Sequence, residues 1–172
     1  MKSKSPYFGL PDRQFWKKEP GISDPRAFDP VGDVPFGITV TDRIVTAGSC
    51  FAQHVANFLR KAGYHYLVTE PCHPAFPEDL AKRFNYGTFT ARYGNLYTAR
   101  QLAQLLRRAH GEFTPLVDHW PRGEAGRVVD PFRPQIQPDG FVSAAELAAD
   151  RVQHFAAIRT AIRDMDVFVF TL

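Results

Sequence analysis

Cysteine is scarce: the 172 residues contain two, Cys50 and Cys72. Two thiols build neither the disulfide framework of a small secreted domain nor a zinc site by themselves. Long apolar runs are also missing, and none approaches the ~18 residues that a membrane span requires. Met1-Lys2-Ser3-Lys4-Ser5-Pro6 carries charge, but no apolar stretch follows it, so no secretory leader is read. Free thiols without an export signal make the cytoplasm the expected location. Neither sign of charge dominates: 21 Lys and Arg stand against 18 Asp and Glu, a net charge of +3. The densest basic spots, Arg107-Arg108 and Arg60-Lys61, read as solvated helix faces and not as a nucleic-acid stripe. There is no GxGxxG or Walker-type glycine loop, and no His/Cys/Asp grouping at metal-ligand spacing. The expected inventory therefore holds no cofactor, no metal, no nucleic-acid partner and no membrane.

What is present is an ordinary globular composition, 44% hydrophobic and 23% charged. Residues 1–36 form a proline-rich leader, with Pro6, Pro11, Pro20, Pro25, Pro30 and Pro35 at near-regular spacing. Proline fixes φ and removes a donor, which opposes regular helix or central strand. Phe8, Phe15, Trp16, Phe28 and Phe36 are too apolar for a solvated tail, so the leader is expected as an extended arm with its aromatics in surface grooves. Residues 37–172 are the expected domain. Ile44–Gly48 reads as a short buried strand. A helix from Phe51 to Lys61 follows, with Val55, Phe58, Leu59 and Ala62 at helical spacing, and then a β-rich run from Tyr64 to Thr69. This order predicts a parallel βαβ unit. Residues 70–96 read as a loop. Thr98 caps an amphipathic helix carrying Leu102, Leu105 and Leu106, which ends at Gly111. After an irregular stretch over 112–141, Ser143 and Glu146 form a capping-box pattern that opens a helix to about Arg163. Val167–Leu172 is apolar on both sides, the mark of a central parallel strand. The pattern predicts an α/β three-layer domain with a parallel sheet, whose site forms outside the carboxyl ends of its strands.

Gly48-Ser49-Cys50-Phe51 stands at one such end, where strand turns into helix. Free amides and the positive end of the helix dipole favour an anion there. A thiolate at Cys50 would be stabilised as a nucleophile, and the same amides could hold an oxyanion. The plainer alternative is a serine N-cap followed by a small buried cysteine.

The same residues resemble a known family. Gly48-Ser49-Cys50-Phe51-Ala52 spells the motif of the GSCFA family. Tyr93-Gly94-Asn95-Leu96-Tyr97-Thr98-Ala99-Arg100-Gln101-Leu102, Val129-Asp130-Pro131-Phe132-Arg133-Pro134 and Phe168-Val169-Phe170-Thr171-Leu172 are similar to further stretches of it, in the same order. The resemblance implies an SGNH/GDSL-hydrolase-like, flavodoxin-like α/β sandwich and acyl-ester hydrolysis. The nucleophile of that superfamily lies two residues after a glycine, which makes it Cys50; a one-residue shift makes it Ser49. The superfamily's oxyanion hole uses Gly48's turn together with a glycine amide and an asparagine side chain from later loops. Gly94 and Asn95 fit those roles, or else form a simple turn before the helix. The superfamily places its catalytic His, with an Asp three residues before it, near the end of a longer chain. The family also continues past Thr171-Leu172 with Gly-Leu-Thr-Glu. The resemblance therefore implies a domain truncated at its C-terminus, the N-terminal part of a GSCFA protein, inactive as this fragment.

Among the local histidines, His54 lies four residues after Cys50 and is the nearest substitute base. His65, His73, His110, His119 and His154 show no carboxylate at telling spacing; Asp118-His119 and Glu70-Pro71-Cys72-His73 are weak patterns. Arg127, Asp130 and Arg133 form either an ion-pair network or part of a substrate cleft, where arginine suits a carboxylate or phosphate. The substrate expected is a small acyl ester or an acylated glycan. The rival readings are an acyltransferase of polysaccharide modification, a non-catalytic glycan-binding module with a buried thiol, and, more weakly, flavodoxin-like nucleotide binding.

Overall fold

A computed structural model describes residues 5–18, 24, 26, 34–123 and 126–171. The chain divides into two compact units, Met1–Gly37 and Ile38–Leu172.

In the first unit, Pro11 at φ −63° starts a three-residue 3-10 turn, Asp12–Gln14, and a second follows at Trp16–Lys18. The leader is thus not uniformly extended: two tight turns fit between its prolines. Lys18 Nζ lies 2.7 Å from Asp12 Oδ1 and 4.9 Å from the Phe15 ring centre. Phe15 is half-buried, whereas Phe8, Trp16 and Phe36 are largely exposed. Phe28 lies outside the described residues.

The second unit is mixed α/β. Its elements are β1 (Ile44–Gly48), α1 (Cys50–Lys61), α2 (Glu78–Arg83), α3 (Ala99–Ala109), β2 (Trp120–Arg122), β3 (Arg127–Val129), α4 (Ala144–Asp164) and β4 (Val167–Thr171). β1 and β4 form a two-stranded parallel sheet, with Ile44 opposite Val167 and Gly48 opposite Thr171. Every residue of β1 is buried. Successive side chains point to opposite faces of a strand, and the packing follows that alternation. Ile44, Val167 and Val169 meet Ala56 and Leu59 of α1. Ala47, Phe168 and Phe170 meet Leu105 of α3 and Ala157 and Ile158 of α4. Helices therefore cover both faces. Burial of side chains such as Leu105 and Ile158 contributes about 1.5–3 kcal/mol each. At the other end of the sheet, Arg43 clamps Asp166 through Nε and Nη2 at 2.9 Å each. That pairing holds the Asp166 carboxyl below the ordinary range.

The larger parallel sheet expected of a flavodoxin-like sandwich is absent among the described residues: the sheet has two strands. Tyr64–Thr69 is not a strand. It contributes one parallel bridge, Tyr66 to Ile44, built from Ile44 N–H to His65 O and Leu67 N–H to Ile44 O, each 2.9 Å. Its departure is local, because Thr69 turns away to donate its N–H to Thr90 O at 2.7 Å and its hydroxyl to Ala157 O at 2.9 Å. β4, expected at the centre, is paired only with β1 among the described residues, and its residues are half-buried.

The three longer helices lie where their caps place them. Ser49 caps α1 and Thr98 caps α3 in a full capping box with Gln101. At α4, Ser143 Oγ accepts from Glu146 N–H at 3.1 Å, but Glu146 returns its bond one residue earlier, to Val142 N–H at 2.6 Å. α2 and the β2–β3 hairpin interrupt the two stretches expected to be irregular. α2 carries Glu78 and Asp79 in its first turn and Lys82 and Arg83 in its last, the polarity that suits the helix dipole. β2 is three exposed residues with proline in the middle, tolerated only on a sheet edge.

Candidate functional site

The turn from β1 into α1 is built on Gly48. Its φ is +142°, and a Cβ there would collide with the backbone and hydroxyl oxygens of Thr171 on β4. Only glycine allows β4 this close while the chain turns. Ser49 N–H then reaches Thr171 O at 3.3 Å, which fixes the turn to the carboxyl end of the sheet. Ser49 Oγ accepts from Phe51 N–H at 3.4 Å, and Ser49 O accepts from Ala52 N–H at 3.0 Å. The Cys50 amide is left as a first-turn donor with no acceptor among the described residues. Ser49 is half-buried and committed to capping; the Cys50 thiol is exposed. The plain reading of this turn is therefore half realised: the serine caps, but the cysteine is not buried.

The second predicted element, Gly94-Asn95, is brought to the same place. Tyr93 is buried and its phenol donates to Thr46 O of β1. Burial raises its pKa far above the ordinary tyrosine value, so the phenol stays protonated as a donor. Leu96 N–H donates to Gly48 O at 2.6 Å. Between these two anchors Gly94 takes φ +71°, a left-handed conformation natural to glycine. Asn95 Oδ1 accepts from Gln53 Nε2 of α1 at 3.0 Å, which turns its amide NH2 into the donor end; that end bonds the Tyr97 hydroxyl at 3.1 Å. Gly48, Ser49, Cys50, Gly94 and Asn95 thus share one end of the sheet.

The histidines do not complete the group. His54 is exposed, and its ring makes no hydrogen bond among the described residues. His73 Nδ1 accepts from Ala75 N–H in a local turn. His119 lies 3.6 Å from Asp118, but that carboxylate is also engaged by Arg151.

A second constellation, most of it not anticipated from sequence, lies inside the unit. Asp130, 1% exposed, accepts from Arg133 Nε at 3.1 Å and from Arg151 Nε at 3.0 Å. Arg108 stacks over the Phe132 ring at 4.0 Å, with Asp130 Oδ1 a further 4.0 Å contact. Asp150 bridges Arg133 Nη2 at 2.7 Å and Arg92 Nη1 at 3.1 Å. Burial alone would push the Asp130 carboxyl up, but Arg133 and Arg151 outweigh it and hold it below its ordinary value. Arg127 stands apart and donates to Gly140 O at 3.1 Å. Next to the cluster, Glu70 accepts from Arg92 N–H at 2.7 Å and bonds His154 Nδ1 at 2.8 Å. Burial, and then Arg133, lowers the His154 pKa, so the ring is neutral at pH 7 and donates its Nδ1–H to the Glu70 carboxylate. His154 is 0% exposed and Nε2 has no partner, so the pair is oriented like a catalytic base but enclosed from substrate. Of this cluster only Asp130 and Arg133, three residues apart, carry a local signal. Glu70–His154 and Arg92–Asp150 span 84 and 58 residues.

Among the described residues no group of three or more His, Cys, Asp or Glu is placed to hold a metal ion, and no helix is long and apolar enough to cross a membrane. The model of the GSCFA family matches residues 43–172. No curated protein and no solved structure matches the chain.

Proposed function

The chain belongs to the GSCFA family, and we propose that its sheet-end site performs acyl transfer from an ester, in the manner of an SGNH-type hydrolase, with Cys50 as nucleophile. The observation that carries this reading is the Leu96 N–H to Gly48 O bond at 2.6 Å, which holds the Gly94-Asn95 loop against the Gly48-Ser49-Cys50 turn. Nucleophile and oxyanion donors must sit within one small site for such chemistry. Cys50 is preferred to Ser49 because its thiol is exposed and uncommitted, whereas Ser49 Oγ caps α1.

In the proposed sequence the Cys50 sulfur adds to the ester carbonyl and the carbonyl electron pair moves onto oxygen. The Cys50 amide, the Gly94 amide and the Asn95 NH2 stabilise that oxyanion. Collapse expels the alcohol, which takes a proton, and leaves a thioester on Cys50. Water then attacks the thioester and releases the acid and the thiol. The exposed thiol speaks against the glycan-binding module, a reading that rests on a buried one. Nothing orients His54 as a base, so the test uses alkaline buffer, where solvent takes the thiol proton. Incubation with p-nitrophenyl acetate is expected to place one acetyl group on Cys50, located by peptide mass spectrometry, and Cys50→Ala to abolish it. If Cys50→Ala and Ser49→Ala both leave nitrophenolate release unchanged, the site is not the nucleophile.

A further inference from the structure

Arg133 keeps one guanidinium nitrogen buried and unpartnered. Its side chain is 2% exposed; Nε is held by Asp130 and Nη2 by Asp150, while Nη1 is buried without any hydrogen-bond partner. A buried guanidinium N–H is costly to leave unmet. Arg133 also lines a cavity of about 120 Å³, together with Gly94, Asn95, Tyr97, Phe132 and Ile136. A second cavity of about 300 Å³ shares Asn95, Tyr97 and Phe132 with it and extends towards Gln101 and Gln104. Among the described residues no carboxylate lines either cavity, and Arg133 is the single charged residue in their walls. Asp130 and Asp150 hold the other two guanidinium nitrogens and fix its plane.

We propose that this cavity is a subsite for a carboxylate group of the ligand, received by Nη1 of Arg133, with the rest of the ligand lying along Tyr97 and Phe132 into the larger cavity. Two N–H bonds on one nitrogen suit an anionic oxygen. Aromatic and amide walls suit a sugar ring or short chain attached to it. Gly94 and Asn95 belong both to this cavity and to the loop given the oxyanion role, so a substrate anchored at Arg133 would present its ester beside Cys50. That last placement rests on the acyl-transfer reading; the binding itself does not. The substrate class indicated is an ester of an acidic sugar or of another small carboxylate-bearing compound.

The test is titration of the isotope-labelled 172-residue chain with glucuronate, followed by amide chemical shifts, with glucuronamide and inorganic phosphate as separate arms. Glucuronate is expected to shift the Gly94 amide and the Asn95 side-chain amide saturably, and glucuronamide to bind at least about tenfold more weakly, about the loss expected for one charge-assisted hydrogen bond. Arg133→Lys should remove the difference between the two sugars. Should that variant not fold, Tyr97→Ala, exposed and outside the ion cluster, should weaken glucuronate binding severalfold with the fold intact. Equal binding of acid and amide, saturation of other amides instead, or tighter binding of phosphate at these same amides would each overturn the assignment. Cys50→Ala is expected to bind glucuronate as the native chain does. Failure of the nucleophile and failure of the subsite are therefore separately visible.

Discussion

The Gly48–Cys50 turn and the Asp130–Arg133 cluster concentrate polar chemistry by opposite routes. In the turn, three consecutive residues supply a close approach, a cap and an exposed thiol, and one nearby loop is fastened to them by backbone bonds. In the cluster, residues from 70 to 154 converge on buried Asp130 and on half-buried Asp150 and Glu70, and nearly every charge is matched. Exposure leaves the turn available for reaction and lightly held. Burial makes the cluster stiff, and its members hold the segments that carry the site: Arg92 ties the Phe84 and Ile136 carbonyls, at 2.9 Å each, to a residue next to Tyr93. Loss of the Asp130 carboxylate should accordingly be read in stability, and loss of the Cys50 thiol in chemistry.

The largest expected effect is at the cluster's centre. Asp130→Ala leaves Arg133 and Arg151 facing no shared carboxylate. Breaking a buried pair in this way costs about 3–5 kcal/mol, readable as a lower urea midpoint. A loss below about 1 kcal/mol would place the cluster among surface ion pairs, where contributions are that small. Gly48→Ala comes next, because it combines a positive φ with a collision against Thr171; the conformational part alone is about 1–2 kcal/mol. A variant as stable as the native chain would mean that β4 does not pack against the turn as described.

Acid should weaken the buried cluster in two steps. The folded state holds His154 neutral, with its pKa lowered by burial and Arg133, beside Glu70 and Asp150. As pH falls below about 6.5 the unfolded chain takes up that proton first, so stability declines from there. Glu70 and Asp130, also lowered in the fold, add a second decline below about 4.3 and 3.9. His154→Gln should flatten the first decline and keep the second; urea midpoints measured from pH 7.5 to 4 would show it. The smallest effect belongs to Ser49→Ala, which removes a cap worth about 1 kcal/mol and should leave thiol chemistry at Cys50 in place. If it instead abolishes acylation while the fold persists, Ser49 is the nucleophile.

How much was legible in sequence follows the same division. β1, α1, α3, α4 and β4 were legible because each carries its own cue: an apolar run, a helical period, or a Ser or Thr cap. The Gly48-Ser49-Cys50 turn was legible because its members are contiguous at a strand-to-helix junction, whereas Gly94-Asn95 was singled out through the family resemblance and not by a local cue. Of the cluster only the Asp130–Arg133 pair was legible, since Arg92 and Arg151 look like solvated charges until partners from distant segments bury them. The Tyr64–Thr69 run has strand-like composition, yet Thr69 bonds to Thr90 and Ala157 draw it off the sheet after one bridge. α2 had a cue in its charge order, Glu78-Asp79 before Lys82-Arg83, overshadowed by the prolines around it.

The most direct measurement compares two reactions of Cys50 in Asn95→Ala. Acylation by p-nitrophenyl acetate passes through an oxyanion, whereas alkylation by iodoacetamide does not. Removal of one oxyanion donor typically costs about 10²–10³ in rate. Acylation should therefore slow by about that factor while alkylation is unchanged, because thiol reactivity and access stay the same. Equal slowing of both reactions, or of neither, would contradict an acyl-transfer site formed by the Gly48–Cys50 turn and the Gly94-Asn95 loop.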